Sequence, residues 1–352
     1  MSAVNARTQR LMGALPFASL GIVAAVDLLS GPDLGYLSLL AVGPAFASLT
    51  GGIRRTVLIG VVALVMSLLL ALYSGVLGDR QSTMSLVSIT GVTAASILAT
   101  VGRQRREREL DTVRSVAEVA QRVLLRPVPR RAGHLRAAVS YTSANAEARI
   151  GGDLYEVVTG PGGVRAIVGD VQGKGLEAVE TAALVLGAFR EAAHDEPDLR
   201  GVSGRLEKAL NRRLSGEEFV TAILVDADPA GRLTLLNYGH PPPLILRANG
   251  EIILAEPDDT APPLGLAVLQ VEGPDPHEVA FTPGDQILLY TDGVIEARDR
   301  AGRFYPLAER AFLLKDDDPE AALEALRLDL VAHVDAPLHD DAAMLLLRCR
   351  DS

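Results

Sequence analysis

Hydrophobic and polar positions change rhythm twice along the chain. Apolar residues run almost unbroken through 11–29, 34–50, 56–77 and 82–101. Each run is close to the ~20 residues that a bilayer-spanning helix requires. The third is the most uniform, apolar from Val57 to Leu72 apart from Gly60 and Ser67. The fourth is rich in Ser and Thr, which predicts one face packed against neighbouring helices. Residues 103–128 then turn charged and amphipathic. Leu110, Val113, Ala117, Ala120 and Leu124 alternate spacings of three and four, so they share one helical seam. Pro127 and Pro129 stop helix propagation beyond it.

From residue 135 the apolar positions come in short runs. Strands are predicted at 136–141, 164–168, 219–225, 232–237, 287–290 and 343–347, and helices at 176–193, 203–213 and 319–334. In the first of these helices Val179, Ala182, Ala183, Leu186 and Phe189 fall on one face. Strands in runs around long helices point to a layered α+β domain rather than a parallel βαβ array. The chain thus divides into a membrane domain at 1–102, a cytosolic helical linker at 103–130 and a catalytic-type domain at 131–352. The linker would serve a parallel homodimer as its stalk, or else pack its seam as a single helix against its own domain, and two heptads do not choose between them.

Charge orients these parts. Arg7, Arg10, Arg54, Arg55, Arg103, Arg105, Arg106 and Arg108 mark one side of the apolar runs; Asp27, Asp33 and Asp79 mark the other. The positive-inside rule places the N-terminus and everything after residue 102 in the cytoplasm, with four spans, or two as the competing count, and lipid around them. A cleaved signal peptide would account for the first run alone, but three more follow it. Residues 1–110 hold nine arginines against five acids, whereas the remainder holds 25 basic against 39 acidic residues. That acidic balance argues against nucleic acid as a partner. The single cysteine, Cys349, excludes an intrachain disulfide and suits a reducing compartment.

Candidate chemistry gathers in acidic turns. Gly151-Gly152-Asp153-Leu154-Tyr155-Glu156 and Gly169-Asp170-Val171-Gln172-Gly173-Lys174-Gly175 flank an apolar strand. Thr291-Asp292-Gly293 and Asp340-Asp341 repeat the arrangement at later strand edges. Singly, a Gly-Asp or Asp-Gly at a strand end is most often a solvated turn. As a set, Asp153, Asp170, Asp292 and Asp340 are oxygen ligands suited to Mg²⁺ or Mn²⁺, and no Cys/His spacing for zinc is present. Two such ions can activate water and clamp a phosphoryl group.

These motifs resemble a family when taken in order with Asn237-Tyr-Gly-His-Pro-Pro-Pro-Leu244, Pro263-Leu-Gly-Leu266 and Leu288-Leu-Tyr-Thr-Asp-Gly-Val-Ile-Glu-Ala297. The succession is similar to the SpoIIE-type branch of the PPM (protein phosphatase 2C-like) serine/threonine phosphatases, over roughly residues 117–348. The resemblance implies a four-layer α-β-β-α sandwich with two Mn²⁺ or Mg²⁺ ions at one edge. Asp170 would bridge both ions and Val171 would offer its backbone carbonyl. Asp153 would serve one ion, with Asp292 and Asp340 on the other. A metal-bridging water would attack phosphoserine or phosphothreonine, and the implied substrate is a phosphorylated anti-sigma-factor antagonist.

The chain departs from the family in places. Glu156 stands where many members carry Asp, Gln172 replaces a small residue or the histidine of eukaryotic relatives, and Ala343 replaces Thr. No general acid can be assigned. His240 in its Gly-His-Pro-Pro turn reads as a rigid loop residue, Glu296 as serving a following helix, and Lys174 lacks the rest of a phosphate-loop signature. Two other readings compete. A catalytically silent module would only capture phosphorylated partners. A diguanylate cyclase would share Arg149-Ile150-Gly151-Gly152-Asp153, but it needs an acid where Leu154 stands and leaves the later aspartates unused.

Overall fold

The computed structural model describes residues 2–30, 36–143, 151–160, 162–213, 218–257, 261–266 and 273–350. Arg149 and Ile150, the front of the cyclase-like turn, lie outside them, as do Asp33 and the side chains of Arg7, Arg10, Val113 and Ala117. The chain separates into two compact units, residues 1–112 and 113–352.

The first unit is helical: α1 (Ser2–Ser30), a 3-10 turn (Tyr36–Ala41), α2 (Val42–Thr50), α3 (Ile53–Tyr73) and the start of α4 (Arg80–Leu124). Two stretches, Ile53–Tyr73 and Arg80–Leu110, are long and apolar enough to cross a membrane; Gly13–Leu29 and Tyr36–Thr50 are apolar but shorter. Small residues let α3 and α4 approach. A Cβ at Gly60 would lie 2.3 Å from Thr93, and the hydroxyls of Thr56 and Thr100 pair at 3.4 Å. The fourth apolar run and the amphipathic seam, separate in the sequence reading, form one 45-residue helix. No proline interrupts it, and the i,i+4 pairs Arg103–Glu107 and Arg105–Glu109 support the polar stretch after Gly102.

The second unit is a sandwich of two antiparallel sheets. One sheet runs β1 (Arg131–Ala132), β2 (Leu135–Thr142), β11 (Ala342–Cys349), β10 (Gln286–Tyr290), β7 (Leu244–Leu246) and β8 (Ile252–Leu254). The other runs β3 (Asp153–Gly160), β4 (Gly163–Val171), β5 (Val220–Asp228), β6 (Arg232–Tyr238) and β9 (His277–Ala280). Helices α5 (Leu176–Asp195) and α6 (Leu199–Asn211) cover the second sheet. The short helices α7 (Asp292–Ile295) and α8 (Leu307–Arg310) precede α9 (Pro319–Val334), which covers the first sheet. The order of layers is α-β-β-α, as the sequence resemblance implies.

Alternation along the strands explains why three cores form. Ala166 and Val168 on β4, Ile287 and Leu289 on β10, and Leu345 and Leu347 on β11 point between the sheets. Their neighbours Ile167, Leu288, Met344 and Leu346 point outward beneath helices. Strands buried on both faces read as unbroken apolar runs, which is why the sequence located them so readily. The turn expected at 151–156 is instead the start of β3. Its residues Asp153 to Val158 are buried throughout, and it pairs with β4 in register from Asp153↔Asp170 to Gly160↔Gly163.

Candidate functional site

The inter-sheet core ends in polar residues at one end of the sandwich. Counting by twos from the apolar positions gives the reason. Tyr141 follows Val139, Asp153 precedes Tyr155, Asp170 follows Val168, Thr221 precedes Ile223, Thr291 follows Leu289 and Asp341 precedes Ala343. All six therefore project to the same face, between the sheets. Asp153 and Asp170 are direct cross-strand partners, so their carboxyl groups stand side by side.

The electrostatics of this end are unfavourable for charge. Burial, and then the Asp170 carboxylate, push Asp153 well above the usual carboxylate range. Asp170 is pushed up to about 7 by burial and by the charges of Asp292 and Asp340, with partial relief from a hydrogen bond to Asp153 and from Lys174. Asp292, at the first position of α7, is raised by burial and by Glu296 and Asp340. The structure thus links Asp153 electrostatically to Asp170, Asp341 and Asp292, and Asp340 to Asp170 and Asp292. Asp340 itself is half exposed and accepts a hydrogen bond from Lys174 Nζ at 2.6 Å.

Glycines make the close approach possible. A Cβ at Gly152 would lie 2.4 Å from the Val171 carbonyl oxygen, one at Gly151 would meet the Asp341 carboxylate at 2.1 Å, and one at Gly293 would meet the Asp341 carbonyl at 1.8 Å. The donor set of hard carboxylates with the Val171 carbonyl beside them fits a hard divalent cation, whose charge would relieve the mutual repulsion. Among the described residues, no three Asp, Glu, His or Cys side chains are already gathered in ligating geometry.

Several residues around the site are not among the ligands expected from the sequence. Thr291, fully buried, donates from Oγ1 to Asp153 Oδ2 at 2.8 Å and accepts from the Ala343 amide at 3.0 Å. Asp341, unlike its neighbour Asp340, is buried; Tyr141 Oη and Ser143 Oγ donate to it, and so does the Gly151 amide at 3.0 Å. Gln121, on the last turn of α4, donates to Tyr141 Oη at 2.8 Å and to the Gly151 carbonyl at 3.2 Å. A hydrogen-bonded path therefore runs from Gln121 through Tyr141 and Asp341 to the backbone beside Asp153. Strand parity could have flagged Tyr141, Thr291 and Asp341; nothing in the local pattern singles out Gln121.

Glu156 serves structure. It pairs with Arg190 of α5, which also donates to the Leu124 carbonyl at 2.9 Å and ties the end of α4 to β3. His240 is buried, and burial pulls its imidazole down to about 3. Nδ1 meets Thr221 Oγ1 at 3.1 Å, while Asn237 clamps the His240 backbone amide and carbonyl. A neutral imidazole so held is a loop fastener rather than a proton donor. Glu296 sits at the C-cap of α7, and the next helix, α8, begins only at Leu307, so Glu296 follows a helix rather than serving one that starts after it, contrary to the sequence reading.

Comparison with known proteins gives this geometry a context. The family model described as Stage II sporulation protein E (SpoIIE) matches residues 160–350. Among solved structures, the RsbU and RsbW domains of Rv1364c from Mycobacterium tuberculosis align at 25% identity and TM-score 0.52, over 61% of this chain and 60% of that one. The chain thus spans less than two thirds of that relative. The SiaA-PP2C domain of Pseudomonas aeruginosa aligns at 20% identity and TM-score 0.56, over 69% of this chain and 98% of that one. The PP2C phosphatase domain and regulatory fragment of SpoIIE from Bacillus subtilis aligns at 15% identity and TM-score 0.52, over 62% of this chain and 62% of that one. The last two likenesses concern the fold.

Proposed function

The chain belongs to the SpoIIE family, with a phosphatase domain of PP2C fold, and from that premise we propose a membrane-anchored, metal-dependent protein serine/threonine phosphatase. One observation carries the reading: Asp153 and Asp170 stand opposite each other at the polar end of the inter-sheet core, with Asp292 and Asp340 coupled to them electrostatically. Carboxylates forced together without enough cationic partners are costly to keep charged, and such strained titrations mark functional sites.

In this proposal Asp170, Asp153, Asp292, Asp340 and the Val171 carbonyl hold two Mn²⁺ or Mg²⁺ ions. Divalent cations, when bound, supply Lewis acidity toward water and neutralise phosphoryl oxygens. The chain's own residues do the rest. Thr291 fixes the Asp153 carboxylate from the facing sheet, and Tyr141 with Asp341 fixes the Gly151-Gly152 backbone. His240, neutral and clamped, supports the Asp170 end of β4 through Thr221. The substrate is a phosphorylated anti-sigma-factor antagonist, as family membership suggests. Ile53–Tyr73 and Arg80–Leu110 would anchor the chain, with the catalytic domain cytoplasmic. Leu124 of the sequence-predicted seam packs on the domain's own core, so a homodimer contact would use the exposed Val116, Val119 and Val123 on a neighbouring face of α4.

The test is hydrolysis of p-nitrophenyl phosphate and of a phosphoserine protein by the full chain in detergent micelles, with and without Mn²⁺. Activity that needs Mn²⁺ and disappears in Asp170→Asn is the expected result. Tight Mn²⁺ and phosphoprotein binding without turnover would replace the enzyme by a capture module. Condensation of GTP would make it a cyclase.

A further inference from the structure

Lys174 occupies the turn between β4 and α5, and its ammonium sits on Asp340, 2.6 Å from Oδ1. Gly173 and Gly175 flank it at φ of +97° and +93°. That left-handed backbone is cheap for glycine alone. A Cβ added at either glycine would meet nothing within 4 Å, so the turn is not wedged in place. A third of the Lys174 side chain and half of the Asp340 side chain are exposed. Water and ions can reach the pair, and the contact is of the kind that exchanges at little cost. The same ammonium acts on Asp170 and Asp292 as well, so it is shared electrostatically by three of the four aspartates.

Such a placement has a consequence for ion binding. A carboxylate oxygen hydrogen-bonded to an ammonium at 2.6 Å cannot also ligate a metal along the same direction. The chain carries only three lysines among its 34 basic residues, and one of them is on this carboxylate. Lysine suits the position better than arginine would. It offers a compact charge on a flexible stem, without the planar fork that fastens arginine to a carboxylate. Once released, the ammonium remains on a short exposed turn beside the site. The nearest unmatched negative charge would then be the substrate's phosphoryl group, which brings between one and two negative charges at neutral pH.

We propose that Lys174 is the resident counter-cation of the site: it holds Asp340 in the ion-free protein, yields it to a divalent cation, and then pairs with the phosphoryl oxygens of the substrate. The inference rests on the metal-dependent phosphatase reading. It makes Lys174 a substrate-binding residue with a second position, rather than a loop lysine.

The experiment uses the full chain in detergent micelles and reads ion binding separately from turnover. Mn²⁺ affinity is measured by titration calorimetry for the wild type, Lys174→Met and Lys174→Arg. Lys174→Met is expected to bind Mn²⁺ about fivefold tighter, the scale of one partly exposed ion pair. Lys174→Arg retains competition and, with its fork on the carboxylate, binds Mn²⁺ no tighter than the wild type. At saturating Mn²⁺, Lys174→Met should raise the KM for a phosphoserine protein and the inhibition constant of inorganic phosphate, with a smaller change in kcat; Lys174→Arg should recover most of both. Equal Mn²⁺ affinity in wild type and Lys174→Met, weaker affinity in the variant, or an unchanged KM overturns the proposal. A wild type that binds Mn²⁺ and hydrolyses substrate, with Lys174→Met unaffected, removes this inference alone. A wild type that binds no Mn²⁺ removes it together with the metal-dependent reading.

Discussion

Asp153 and Asp285 are both buried aspartates of the same sandwich, and their surroundings could hardly differ more. Asp285 closes the turn into β10 and is surrounded by donors: the amides of Thr282 and Ala248, the Thr282 hydroxyl and the Arg247 guanidinium, at 2.9–3.0 Å. Burial alone would raise it, but those bonds outweigh burial and hold it below the usual carboxylate range. Among the described residues Asp153 has one hydroxyl donor, Thr291, and is otherwise set among acids. The contrast separates two uses of a buried charge. A structural carboxylate carries its compensation with it, whereas one left with other carboxylates has its compensation still to come from outside the chain.

The largest expected effect breaks the comparison at its functional side. Asp170→Asn should lower Mn²⁺-dependent hydrolysis by at least about 100-fold, beyond the 10–100-fold typical of residues that merely orient ligands. The ion-free fold should be no less stable, because one of the repelling charges is gone. Asp285→Asn should do the reverse. It should destabilise folding by about 3 kcal/mol in urea titrations, since Arg247 is left without its partner, while activity per folded molecule persists.

The pH dependence should separate the two with opposite signs. Asp170, with its folded-state value near 7, binds more protons folded than unfolded between roughly pH 4 and 7. Stability of the EDTA-treated protein should therefore fall as pH rises through that window, by roughly 5 °C in Tm, and Asp170→Asn should flatten the slope. Asp285 is depressed, so its contribution is present above about pH 4 and is lost on further acidification. A Tm that climbs steadily from pH 4 to 7 in the ion-free wild type would contradict the assignment of Asp170.

Smaller effects sharpen the picture of how the site is held. Tyr141→Phe removes the hydroxyl joining Gln121 to Asp341 and should weaken Mn²⁺ binding about 10-fold, as loss of an outer-shell partner does. Measured by calorimetry, unchanged affinity would mean that the path from Gln121 only braces the loop. Arg130→Ala, which breaks an exposed pair with Glu320, should change stability by less than ~1 kcal/mol and leave activity alone.

Most of the strands were legible because apolar alternation is local. The segments expected at 164–168, 232–237, 287–290 and 343–347 lie inside β4, β6, β10 and β11, and the one at 219–225 starts one residue before β5. Helix α9 begins and ends at the predicted residues 319 and 334, with Asp318 as its cap and Pro319 as its first residue. Strand β3 was misread as a turn because Gly151-Gly152-Asp153 carries turn chemistry, while its apolar partners arrive only across the sheet. The second apolar run was expected as one span but forms a 3-10 turn and a nine-residue helix. The break between membrane run and linker is a change of composition and not of backbone, so α4 continues through it.

By itself the sequence determined the layered α+β class, the positions of most strands, the apolar N-terminal helices and the four aspartates at strand edges. These depend on periodicity and on motif order, which neighbouring residues carry. The tertiary structure decided which face each aspartate takes, that Asp341 is buried while Asp340 is not, and that Gln121, Tyr141 and Thr291 belong beside them. It also decided that a lysine 166 positions away along the chain sits on Asp340. Burial and long-range pairing set those outcomes, and both come into being only when the two sheets close on a common core.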